Sequence, residues 1–91
     1  MKGYEQIAQA IIRHQEKIIG PLAWNEADKV MGLDYNEKGE VILKGDSKGI
    51  LESLVRQYEN LFGQASVEAC KDAVRPSLKD IKGVDLPEIL L

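Results

Sequence analysis

The chain has 91 residues, 44% hydrophobic and 30% charged, with 12 basic and 15 acidic side chains and a net charge of −3. That size and balance describe one globular domain spanning 1–91, and they exclude an intrinsically disordered chain and a broadly basic surface for nucleic acid. No apolar run approaches membrane-spanning length, polar residues interrupt the N-terminal stretch MKGYEQIAQAIIRH so that it does not read as a signal peptide, and a lone cysteine points to a reducing, cytoplasmic setting.

The first element is an amphipathic helix over 4–19. Its apolar residues Ile7, Ala8, Ile11, Ile12, Ile18 and Ile19 recur at three- and four-residue intervals. Gly20 ends it, because glycine takes the left-handed conformation that closes a helix, and Pro21 suits the first turn of the next. The second helix is expected over 21–31, with Trp24, Ala27, Val30 and Met31 on its stripe. These two helices make a first pair within 4–32.

The connector over 33–46, LDYNEKGEVILKGD, has different physics. Asn36 to Gly39 is rich in turn formers, and Val41, Ile42 and Leu43 come next with strand propensity, so a short β-hairpin is expected. A third helix over 47–62, with Asp46 or Ser47 available to cap it, leads to Gly63 and a fourth helix over 64–74. They form a second pair within 47–75. The tail over 76–91 carries Pro76, Gly83 and Pro87 and is expected to be extended, with one final turn.

The two pairs repeat each other. Gly20 and Gly63 stand 43 residues apart (63 − 20 = 43), and at that offset Arg13 and Glu16 meet Arg56 and Glu59. Ile7, Ala8, Ile11, Ile12, Ile18 and Ile19 meet Ile50, Leu51, Leu54, Val55, Leu61 and Phe62. Any two amphipathic helices share apolar spacing, but a common break at a common place argues for duplication or for selected pseudo-symmetry. The expected fold is therefore mainly α: a four-helix arrangement of two similar pairs about a pseudo-twofold axis.

Catalytic signals are missing. His14 has Gln57 as its counterpart and no partner for base chemistry, so it reads as a boundary residue. Cys70 matches Ala27 on an apolar stripe and reads as a small buried hydrophobe. Trp24 and Tyr58 fall on stripes and read as core, and Tyr58 stands where the first copy has Gln15. Arg13 with Glu16 and Arg56 with Glu59 have the spacing of surface ion pairs. GDSKG lacks the order of a phosphate-binding loop, and one Cys with one His cannot build an ordinary zinc site. Neither a cofactor nor a metal is expected.

The function expected from these features is a non-catalytic protein–protein interaction or regulatory module that self-associates. Ile42 points opposite to Val41 and Leu43 on a strand, and one bundle covers only one of those faces. The short hairpin also leaves a backbone edge to pair. Tyr35, Val41, Ile42 and Leu43, with Ile89, Leu90 and Leu91 in the tail, are the expected partner-binding residues, most simply in a homodimer. Two alternatives remain. One is a nucleic-acid-binding regulator, since two helices at a tight corner followed by a hairpin have the outline of a winged helix-turn-helix. Glu26 and Asp28 on the reading helix oppose that. The other is a ligand-binding or enzymatic domain whose site forms on assembly.

Overall fold

A computed structural model describes residues 2–79 and 83–91; residue 1 and residues 80–82 of the expected tail lie outside the described residues. The chain is mainly helical, with one two-stranded antiparallel sheet. In chain order the elements are α1 (Lys2–Ile19), α2 (Leu22–Ala27), β1 (Leu33–Tyr35), β2 (Val41–Leu43), α3 (Ser47–Phe62) and α4 (Gln64–Val74). Two 3₁₀ turns come after them, Arg75–Lys79 and Glu88–Leu90.

The expected helical stripes form the core. Ile7, Ala8, Ile11 and Ile12 of α1 are fully buried, as are Leu51, Leu54 and Val55 of α3. Val67, Cys70 and Val74 of α4 close the core from the other side. Removing such side chains from water contributes about 1.5–3 kcal/mol each.

Both corners are built alike. Gly20 and Gly63 have φ of +70° and +76°, values that cost a residue with a Cβ. Gly20 N–H donates to Glu16 C=O at 2.8 Å and Gly63 N–H to Glu59 C=O at 2.7 Å. Ala23 N–H donates to Gly20 C=O and Ser66 N–H to Gly63 C=O, both at 3.1 Å. Each of these bonds has its counterpart 43 residues on.

The second helix is shorter than its spacing predicts. It ends at Ala27 instead of Met31, and Lys29 N–H and Val30 N–H bond back three residues to Glu26 and Ala27. These tighter turns let the chain reverse into the hairpin, which begins at Leu33. Neither Asp46 nor Ser47 supplies a side-chain cap to α3: the residue before the helix, Asp46, is extended and makes no capping bond from its side chain.

The hairpin pairs Leu33 with Leu43, Asp34 with Ile42 and Tyr35 with Val41. Its turn is tied by Asn36, whose side-chain oxygen accepts Lys38 N–H at 2.9 Å and Glu40 N–H at 3.0 Å. The outer edge of β2 lies along α1. Val41 N–H donates to Gln9 Oε1 at 2.8 Å and Leu43 N–H to Glu5 Oε2 at 3.0 Å. Side chains of a helix thus take the place of a third strand.

The final segment docks on the bundle. Tyr4 Oη donates to Asp85 C=O at 3.0 Å, and Lys48 Nζ meets Asp85 Oδ2 at 2.9 Å. Pro87 and Leu90 are buried.

Candidate interaction surface

The hairpin and tail residues expected to bind a partner pack largely on their own bundle. Val41 and Leu90 are buried, and Tyr35, Ile42, Leu43 and Ile89 are half-buried. Leu91, at 74% exposure, is the one of the seven that faces water. Tyr35 is held by its ring edge against Trp24, with centroids 5.4 Å apart, and its hydroxyl donates to Asp28 Oδ1. Burial, with Asp28 beside it, pushes the Tyr35 phenol up. Trp24, expected in the core, is only half-buried and packs against Tyr35 at the hairpin.

Two open clefts flank the hairpin. One of about 600 Å³ lies over α1 between Ile42 and Ser77, with Gln6, Ala10 and Arg13 on its floor. The other, about 460 Å³, is bounded by Arg13, Glu16, Trp24, Tyr35 and Lys38. Their charges are mixed, and neither holds a nucleophile beside a base. Arg13 makes no ion pair among the described residues, although Arg56 pairs with Glu59 at 3.1 Å and Glu52 at 3.6 Å. The expected Arg13–Glu16 pair does not form. The residue at the place of Glu52 is Gln9, and the hairpin edge occupies it.

Buried polar groups serve the packing. Gln15, the repeat counterpart of Tyr58, is fully buried and donates from Nε2 to Ser66 C=O at 3.2 Å and to Cys70 Sγ at 3.4 Å. Tyr58 Oη donates to Ala23 C=O at 2.7 Å. Glu26 is buried, and Gln57 Nε2 at 2.7 Å and Lys29 Nζ at 3.1 Å hold its carboxyl below the usual range. Burial pushes the Cys70 thiol up to about 11, with the Gln15 amide pulling against it. A thiol in that state is a poor nucleophile at neutral pH. His14 is half-buried with no hydrogen-bond partner among the described residues. No group of three metal-ligating side chains occurs among the described residues, and no helix there is long and apolar enough to cross a membrane.

Several large apolar side chains stay exposed beside the corners. Gln15 reaches Ser66, and Tyr58 reaches Ala23, so both corners lie at one end of the bundle. At that end Ile18, Leu22, Leu61 and Phe62 remain 59%, 39%, 46% and 41% exposed. The periodicity places Ile18, Leu61 and Phe62 on the apolar stripe, but in the last turn of each long helix they stay exposed. The missed signal is in the repeat itself: adjacent apolar pairs, Ile18–Ile19 and Leu61–Phe62, stand immediately before both corner glycines. Met31, also on the expected stripe, is exposed in the turn after the shortened α2. Comparison of the chain with known family models, characterised proteins and solved structures finds no match.

Proposed function

We propose that this chain is a non-catalytic protein-interaction module that docks through the end of the bundle where its corners meet, and that its helix pairs are related by a pseudo-twofold axis. The carrying observation is the gathering of Ile18, Leu22, Leu61 and Phe62, all large and all left in water, at one end. Exposed large apolar side chains grouped at one end of a folded domain are a mark of interaction sites. Among the described residues, the other exposed large apolar side chains, Met31, Leu78 and Leu91, belong to three separate segments.

The pseudo-axis is supported by an exchange of hydrogen bonds. Gln15 of α1 bonds the backbone of Ser66 in α4, and Tyr58 of α3 bonds the backbone of Ala23 in α2. Adding the repeat offset to 15 and 23 gives 58 and 66, so the two bonds are each other's counterparts. Nucleic-acid binding is disfavoured on this reading. A recognition helix of six residues is short for a groove, and Lys44 on the hairpin is already paired with Asp34 at 3.3 Å. The buried, reduced Cys70 accords with a cytoplasmic setting.

The test is site-specific photocrosslinking of the full chain in its native cells. A photoreactive residue at position 61 is expected to give discrete protein adducts. The same residue at position 52, on the exposed flank of α3, is expected to give none. Absence of adducts from position 61, or equal adducts from both, overturns the reading.

A further inference from the structure

We infer that the occupant of the corner end is a second copy of this chain, docked end to end so that the first corner of each copy packs on the second corner of the other. The inference rests on the interaction-module reading above and names its partner. It moves the self-association interface from the hairpin and tail, whose apolar residues pack largely at home, to the end of the bundle.

Three observations select a second copy. The first is symmetry. Ile18 and Leu61 are counterparts in the repeat, and so are Ile19 and Phe62. The corner bonds and the exchanged Gln15 and Tyr58 bonds repeat in the same way. A pseudo-twofold axis leaving through this end would exchange Ile18 with Leu61, so that the centre of the patch resembles itself after half a turn, while Leu22 has the smaller Ala65 as its counterpart. Such a patch is suited to an isologous contact, in which one surface meets its own copy.

The second is area. At the exposures given, four large apolar side chains leave on the order of 400 Å² in water. A standard interface buries roughly 800 Å² per partner, of which slightly more than half is apolar. The patch supplies about the apolar share that one side of such a dimer needs.

The third is charge. Glu16 and Glu59 recur at both corners and favour neither orientation. Among the residues that break the charge pattern are Lys17 against Asn60 and Asn25 against Glu68. These two exchanges add a cation to the first corner and an anion to the second. Lys17 is exposed and makes no ion pair among the described residues, while Glu68, one turn into α4 and 55% exposed at its side chain, is held on its own helix by Lys71 Nζ at 3.4 Å and Gln64 Nε2 at 3.2 Å, so a lysine from a second copy would share it with them. First corner on second corner brings Lys17 of one copy to Glu68 of the other. First on first would set two lysines together.

Sedimentation velocity of the full chain across a micromolar concentration series tests this. The wild-type chain is expected to pass from monomer to dimer. Leu61→Lys and Ile18→Lys change exposed positions, and far-UV circular dichroism checks that each stays folded. Each is expected to weaken the dimer about thirtyfold or more, the scale of a central interface residue. Lys17→Glu and Glu68→Lys alone are each expected to weaken it up to about fivefold, and the double reversal to restore it. Ile42→Lys on the hairpin is expected to leave it unchanged. A wild-type chain that stays monomeric overturns the inference, as does a dimer indifferent to folded Leu61→Lys, or a double reversal that restores nothing. If the chain is monomeric yet position 61 crosslinks to another protein, the second-copy inference fails and the module reading stands. If position 61 also gives no adduct, both fail.

Discussion

Tyr58→Phe isolates one of the hydrogen bonds that tie the helix pairs together. The ring is fully buried, and its hydroxyl donates to Ala23 C=O at 2.7 Å. Phenylalanine keeps the ring in place and removes only the donor. A net hydrogen bond of this kind contributes about 0.5–1.5 kcal/mol, and a buried carbonyl left short of a partner adds to the loss. The expected cost is therefore about 1–2 kcal/mol, or roughly 4–8 °C in melting temperature per kcal/mol for a domain of this length. Tyr58→Ala deletes the ring as well and is expected to cost about 3–5 kcal/mol, a large share of what holds a small domain folded. Urea unfolding followed by circular dichroism reads both, provided the three curves share a slope. The pH dependence supplies an internal check. Burial pushes the Tyr58 phenol up, so its neutral form is favoured in the fold. That contribution is fully present below about pH 10, the unfolded-state value, and fades as pH rises further. The gap between wild type and Tyr58→Phe should accordingly narrow above pH 10. A Tyr58→Phe protein as stable as wild type at pH 7, or a gap that widens with pH, refutes the reasoning.

The Cys70 thiol should react with a disulfide reagent only as fast as the protein opens, and stability should fall as pH rises from about 9 toward about 11, less so in Cys70→Ala. Labelling rates and urea midpoints against pH check both. Gly32→Ala should cost about 1–3 kcal/mol more than Gly63→Ala in urea unfolding. Both positions have positive φ, but a Cβ at Gly32 would lie 2.8 Å from the Lys44 backbone oxygen and 2.7 Å from Ile50 Cδ1, whereas at Gly63 nothing is within 4 Å. Gln9→Ala should speed hydrogen exchange at the Val41 amide, and Glu5→Ala at the Leu43 amide, because each removes the acceptor of that N–H.

Much of the fold was legible because it depends on local rules. Helical periodicity located α3 and α4 to the residue, and the glycines before Pro21 and Gln64 marked the corners. The hairpin was visible in turn formers beside Val41, Ile42 and Leu43. The candidate surface was harder to see. Periodicity says which face of a helix is apolar and not how far its neighbour extends, so Ile18, Leu61 and Phe62 were assigned to the core with Ile11 and Leu54. The β2 edge was equally out of reach. Glu5 and Gln9 are ordinary polar residues in α1, and only the packing of the hairpin on that helix makes them its edge partners.

The departures from the repeat have a common origin in the segment that each pair leads into. The chain leaves α2 for a hairpin, which must turn back onto α1 to bury Val41 and Leu33. α2 therefore stops after six residues, while α4, with no strand to feed, continues for eleven. The same hairpin draws Gln9 to its edge, where the other copy has Glu52 paired with Arg56. Arg13 is left lining both clefts without an ion pair among the described residues. The corners keep the repeat: a similar positive glycine φ, the same backbone bonds and an apolar pair before the turn. The hairpin thus accounts for where the copies diverge but not for their agreement at the corners. The corner glycines and backbone bonds are explained by the turn itself. Ile18 and Leu61 are not, because a side chain half in water does little for the fold. A shared surface accounts for both of them, and the Ile18→Lys and Leu61→Lys proteins put that surface to the test at each corner separately.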